Sequence, residues 1–173
     1  MLTRNAILPD AHAVYELIAM HADSGALLPR SLPEICENIR DFVVVEDHSG
    51  RVIACGALHL YGTHLAEVRS IAVHPQAQGR GAGACVVKAL LNEAKRHHVT
   101  GVCLFTRIPE FFAKLGFVMA EVHDLPDKIY KDCLKCPKLN ACDEVAMVKG
   151  ELPKMSILQQ ARMFVRPVKL DAR

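Results

Sequence analysis

Apolar positions change their period several times along the chain, and each change predicts an element. Leu2 to Leu8 is a short apolar-rich opening strand. Pro9-Asp10 then starts a helix with Val14, Leu17, Ile18 and His21 on one face. Ser31-Leu32-Pro33-Glu34 places a serine at a cap and a glutamate three residues later, the capping-box arrangement, ahead of a second short helix through Ile35 and Ile39. Phe42 to Val45 is continuous and β-branched, Asp47 to Gly50 is a turn, and Arg51 to Tyr61 reads as the hairpin partner. Leu65 to His74 is a third long strand, ended by Pro75.

Strand character is then lost from Gln76 to Gly83. Directly afterwards Val87, Leu90, Leu91 and Ala94 fall at helical spacing, with Lys88, Asn92, Lys95 and Arg96 off that stripe. An amphipathic helix therefore leaves a glycine loop. Val102 to Thr106 reads as a buried strand, Glu110 to Leu115 as a short helix stopped by Gly116, and Phe117 to His123 and Glu144 to Val148 as two further strands. This order predicts an α/β domain with one mixed sheet. Residues 1–152 are expected to form a single domain, with the weakly amphipathic 153–173 as a tail packed on or near it.

Composition removes several classes. Of the 173 residues, 51% are apolar and 23% charged, as in globular chains, and the formal charge of +2 offers no basic stripe for nucleic acid. No apolar run approaches the roughly 18–20 residues that span a bilayer, and the first residues do not read as a signal peptide. The expectation is a cytoplasmic protein with a small-molecule substrate; a homodimer is compatible with this size. Seven cysteines are too many to pass over. Cys36, Cys55, Cys85 and Cys103 sit singly in apolar segments, where a thiol behaves as a small hydrophobe. Cys133, Cys136 and Cys142 cluster, with His123 and Asp143 nearby, but lack the second pair of a complete zinc site. A packed, reduced loop is the first reading, metal binding and redox chemistry remain open, and no metal is assigned.

The chemistry concentrates at Gln78-Gly79-Arg80-Gly81-Ala82-Gly83, between a strand and a helix start. Glycines let the backbone turn tightly and approach a ligand, and the first helical turn points free amides at an anion. Arg80 adds a charge for a phosphate oxygen. Neither the Rossmann nor the Walker spacing fits. The loop does resemble the acetyl-CoA loop of the GNAT acetyltransferases, Q/R-x-x-G-x-G/A, with Gln78, Gly81 and Gly83 in its fixed positions. Ser70 to Pro75 resembles that family's preceding strand, and Phe111 to Phe117 its later Y-x-x-x-G-F helix end, with Phe112 in the tyrosine position. The resemblance covers residues 1 to about 150 and implies the GNAT acyl-CoA N-acyltransferase fold. It implies acetyl-CoA as co-substrate, its pyrophosphate on amides from Gly79 to Ala84, through Arg80, Gly81, Ala82 and Gly83, and its pantetheine along Ile71 to Val73.

An attacking amine must first lose a proton. Glu67 lies on the strand before the loop, where this family often keeps its base, and Arg69 shares its face unless a bulge intervenes. Arg107 follows the next strand, and two arginines beside one amine point to an acidic substrate. Ala66 to Val73, Thr106-Arg107 with Phe111-Phe112, and Asp132-Cys133-Leu134-Lys135-Cys136-Pro137 running on to Cys142-Asp143-Glu144-Val145-Ala146-Met147 resemble the N-acetylglutamate synthases, in their short bacterial form. That resemblance implies acetylation of the α-amino group of glutamate, the first step of arginine synthesis. It does not extend to the amino-acid-kinase-like domain of the classical enzymes, nor to the usual tyrosine, replaced by Phe112; water and Tyr130 are left to protonate the thiolate. Acetylation of another amine, and a non-catalytic CoA-binding or thiol-sensing module, are the competing readings.

Overall fold

Residues 1–152 are described in a computed structural model; the expected tail, 153–173, lies outside them. Seven strands, β1 (Leu2–Asn5), β2 (Phe42–Glu46), β3 (Val52–Leu60), β4 (Ala66–Val73), β5 (Gly101–Thr106), β6 (Val118–Met119) and β7 (Val145–Gly150), form one sheet in the order β1-β2-β3-β4-β5-β7-β6. Strands β1 to β4 run antiparallel in sequence order, β5 joins β4 in parallel, and β7 inserts between β5 and β6.

Alternation along the strands supplies both faces of the sheet with apolar side chains. On one face Phe42, Val44, Cys55, Ala57 and Ala72 pack against α1 (Ala11–Asp23) and α2 (Leu32–Glu37), through Val14, Leu17, Ile18 and Ile35. On the other, Val43, Val45, Leu58, Val68 and Leu104 meet Val86, Val87 and Leu90 of α3 (Ala82–Arg96). The Ser31 hydroxyl caps α2 by accepting from the Glu34 amide, but the Glu34 carboxylate turns to Arg30, so the capping box is only half made.

Two features of the sheet create the site. Strands β4 and β5 pair only at Ala66–Val102 and Glu67–Cys103, although both run further, so their ends part like a wedge. On its other side β4 carries a bulge: Arg69 lies opposite Ala57 but Ala72 lies opposite Cys55, leaving Ser70 and Ile71 against Gly56 alone, with Ser70 at φ +54°. Gly56 is also where α3 comes closest, since a Cβ there would lie 2.6 Å from Val86 Cγ1. Gly56→Ala is therefore expected to lower unfolding stability by about 1–3 kcal/mol through overpacking. A denaturant melt with an unchanged midpoint would contradict this close approach.

The segment after Gly116 departs from expectation. The strand expected over Phe117 to His123 is only Val118–Met119, paired with β7 alone and exposed at the sheet edge. A 3-10 turn at Val122–Asp124 follows, and then a helix, α5 (Pro126–Lys131), that the sequence reading did not anticipate. Six residues are too few to print a helical period; the helix is held by Leu125, fully buried just ahead of it, by Asp127, 2.8 Å from His64 Nε2, and by Lys128, 2.8 Å from Glu67.

Candidate functional site

A cavity of about 590 Å³ fills the wedge between β4 and β5. Val68 to Ile71 and Val73 wall it from β4, and Leu104 to Thr106 with Arg107 and Ile108 from β5. Ala77, Gln78, Gly79 and Gly81 to Ala84 close one end, α4 (Pro109–Ala113) adds Phe111 and Phe112, and His21, Ala26, Leu27 and Glu144 complete the lining. Among the residues singled out in the sequence, Arg69, Ile71, Val73, Gln78, Gly79, Gly81, Ala82, Gly83, Ala84 and Arg107 are thus brought together. Arg80 and Glu67 are not on this wall. Arg80 faces a second, smaller cavity of about 310 Å³ with His48, Arg51 and His74.

The loop end is built from backbone. Gly79 and Gly81 stand at φ +72° and +87°, a region that costs other residues strain, and Gly81 is the N-cap of α3. The amides of Ala82, Gly83 and Ala84 form the first turn and have no partner within the helix. Gly83 serves close approach instead: a Cβ there would sit 3.4 Å from Phe111 Cζ and 3.5 Å from Val73 Cγ2. The positive end of a fifteen-residue helix, α3, therefore opens on a narrow, largely apolar channel.

The opposite end is ionic. Arg69 Nη2 donates to His59 Nδ1 at 3.0 Å, its Nη1 lies 3.8 Å from Asp132, and its buried Nε has no partner among the described residues. Burial, helped by the Arg69 charge, holds His59 below its ordinary value and keeps it neutral. Arg30, absent from the sequence reading, donates through Nε to the Ser70 hydroxyl at 2.8 Å and fixes the bulge. Arg107 spans the mouth: Nη1 donates to the Gly25 carbonyl at 2.6 Å, and Nε lies 2.8 Å from Asp143.

Glu67 points to the face away from α3 and is 3% exposed. Its carboxylate meets Lys128 Nζ at 2.8 Å and the Tyr61 hydroxyl at 2.9 Å. That hydroxyl also lies 2.7 Å from Asp132, and Lys128 bonds Asp132 at 3.2 Å. Burial acts to raise the Asp132 carboxyl, but Tyr61 and Lys128 outweigh it and hold it below the usual carboxylate range. Burial and the Glu67 charge push the Tyr61 hydroxyl far up, so it stays protonated. Two carboxylates thus share one phenolic proton, balanced in charge by Lys128 and Arg69. Lys128 and Asp132 stand four residues apart at the end of α5. The sequence offered that spacing as a signal, but no helix was expected there to carry it.

The cysteine cluster lies beside this network. Cys133, Cys136 and Cys142 are free thiols; burial raises Cys133, and Cys142 is exposed. Among the described residues no three His, Cys, Asp or Glu side chains are grouped to hold a metal, and no helix is long and apolar enough to cross a membrane. Tyr130 is 64% exposed and off the cavity wall.

Comparison with known proteins matches residues 38–119 to the Acetyltransferase (GNAT) domain family. An uncharacterized N-acetyltransferase of Chlorobaculum tepidum is 40% identical over 146 residues, which cover 84% of this chain and 94% of that protein. The amino-acid acetyltransferase of Mycobacterium tuberculosis is 29% identical over 95% of this chain and 93% of its own length. Among solved structures, the N-acetylglutamate synthase of Neisseria gonorrhoeae, complexed with coenzyme A and N-acetyl-glutamate, superposes with a TM-score of 0.77 at 26% identity, over 86% of this chain and 34% of that one.

Proposed function

Because the chain belongs to the GNAT acetyltransferase family, we propose that it moves the acetyl group of acetyl-CoA to the α-amino group of a free amino acid of glutamate's length. Glutamate is the acceptor named by the sequence resemblance, and the product would enter arginine synthesis. The observation that carries this reading is the one continuous cavity, with free helix-start amides at one end and Arg69 and Arg107 at the other. The ligands bound by the Neisseria enzyme support the same pairing of coenzyme and amino acid.

In this reading the amides from Gly79 to Ala84 hold the pyrophosphate, Gln78 braces the loop through its bond to the Val73 carbonyl at 3.4 Å, and the Arg80 side chain faces the neighbouring smaller cavity. Pantetheine runs in the wedge, where Ile71 and Val73 have edge groups that β5 does not pair. Arg69 takes the α-carboxylate, and the side chain of the acceptor extends toward Arg107. Glu67 serves as the base at one remove, because it lies off the wall: the amine proton reaches it through water, and Tyr61 can pass a proton on to the more exposed Asp132. The neutral amine then attacks the thioester carbonyl, the C–S bond breaks, the new amide nitrogen gives up its extra proton to water, and the thiolate takes one from water.

The test is thiol release from acetyl-CoA across free amino acids and polyamines. Glutamate or glutamine should be used far better than lysine or spermidine, and lysine matching both would overturn the reading. Arg69→Lys keeps the charge opposite Asp132 but loses the planar fork. A charge-assisted hydrogen bond contributes roughly 1.5–3 kcal/mol. The amino acid's Michaelis constant should therefore rise about ten- to a hundredfold with acetyl-CoA kinetics unchanged. An unchanged constant would remove Arg69 from the acceptor site.

A further inference from the structure

The cysteine segment is the one sequence motif that acetyl transfer leaves unused, and it runs between the two arginines of the cleft. Three successive turns coil it without help from sulfur: the Cys136 amide donates to the Cys133 carbonyl at 3.0 Å, Leu139 to Cys136 at 3.1 Å, and Ala141 to Lys138 at 2.9 Å. The first and last of these, around Cys133–Lys135 and Leu139–Ala141, pack against each other. Cys136 is engaged inside the coil, its sulfur accepting from the Lys138 amide at 3.4 Å. Cys133 opens the coil and is half-buried, whereas Cys142 leaves it and is exposed. Burial raises the Cys133 thiol, Lys128 opposes the rise, and Cys142 is close enough for its charge to add to it.

Each of these two cysteines adjoins an acid that faces a cavity arginine. Asp132, next to Cys133, accepts from Tyr61 and Lys128 and lies 3.8 Å from Arg69. Asp143, next to Cys142, lies 2.8 Å from Arg107, whose Nη1 shares the Gly25 carbonyl with Lys138. We propose that Cys142 and Cys133 are a reversible thiol–disulfide pair, a modification site through which a hydroperoxide switches off the cleft. Cys142, the exposed thiol, attacks a peroxide oxygen as its thiolate; the O–O bond breaks, hydroxide leaves and takes up a proton as water, and a sulfenic acid remains. The Cys133 sulfur then attacks the Cys142 sulfur, the S–O bond breaks, and the departing hydroxide carries off the Cys133 proton as water. Two thiols are oxidised, one peroxide is reduced and two waters form. A disulfide holds its two Cα atoms within about 7 Å, so closure pulls on Asp132 and Asp143 together and strains their hold on Tyr61, Lys128 and Arg107. The switch rests on the acetyltransferase reading above; the bond itself does not.

The experiment treats the full chain with hydrogen peroxide, counts free thiols, maps cysteine peptides by mass spectrometry and follows formation of the acetylated amino acid. The wild type should lose a pair of thiols to a Cys133–Cys142 cross-link. Its kcat/KM for the amino acid should fall about tenfold or more, the cost of a misplaced binding group. Acetyl-CoA affinity should hold, because the glycine loop closes the other end of the cavity, and dithiothreitol should restore activity. Cys136→Ser should respond as the wild type does, while Cys133→Ser and Cys142→Ser should keep their activity through the same treatment. A cross-link to Cys136, no cross-link, or a Cys133–Cys142 bond that leaves the kinetics unchanged would overturn the proposal. A mapped Cys133–Cys142 bond in a protein that acetylates no amino acid would uphold the pair and overturn the function proposed above.

Discussion

Gly81→Glu is expected to abolish acetyl-CoA binding without unfolding the sheet. Gly81 sits at φ +87° as the N-cap of α3, and a Cβ there would meet no atom within 4 Å. Sterics therefore do not forbid a side chain; the backbone cost is about 1–2 kcal/mol for a left-handed non-glycine residue. The larger effect is electrostatic. A carboxylate rooted at the N-cap reaches the amides of Ala82, Gly83 and Ala84 itself and occupies the place proposed for the pyrophosphate. Gly81→Ala separates the two effects, since it imposes the strain without the charge. Calorimetry should find no measurable heat of acetyl-CoA binding for Gly81→Glu and a retained, weakened affinity for Gly81→Ala. Wild-type affinity in a folded Gly81→Glu protein would rule the loop out as the pyrophosphate site.

The loop was legible because its chemistry is local. Glycines at fixed spacing between a strand and an amphipathic helix determine positive φ values and a free helix start within ten residues. The wedge below it was not legible, because it arises where the pairing of β4 with β5 ends after two registers, a property of distant strands. Arg69 illustrates the difference. Strand alternation placed it on the face of Glu67, and it does join the same network through Asp132. The bulge at Ser70, supported by Arg30, accompanies its second role as cavity lining. Arg107 was located correctly at the end of β5, but its partner Asp143 comes from the other side of the cysteine segment, so its charge looked free. Lys128 was hidden for the same reason: nothing in the local pattern around Pro126–Lys131 tells of a buried carboxylate sixty residues earlier.

Glu67→Gln should lower the turnover number by about 10²-fold or more if its carboxylate receives the amine proton. The coenzyme should still bind normally, because Glu67 lies off the cavity wall and on the face away from α3. The substitution also leaves the network with one excess positive charge, and one neutral amide oxygen in place of two carboxylate oxygens to accept from Lys128 and Tyr61. Those structural effects act alike at every pH, whereas loss of a base does not. As pH rises, more of the amine is already neutral and less depends on an acceptor, so the deficit of Glu67→Gln should shrink steadily toward alkaline pH. Tyr61→Phe provides the counterpart: it keeps the Glu67–Lys128 pair but cuts the route to Asp132, and should reduce turnover less, with the same trend in pH. A deficit that stays constant across the pH range would make Glu67 a structural anion that holds Lys128 and Tyr61 in place. Wild-type turnover at neutral pH would exclude it from proton transfer, and the amine would then lose its proton directly to water in the cleft.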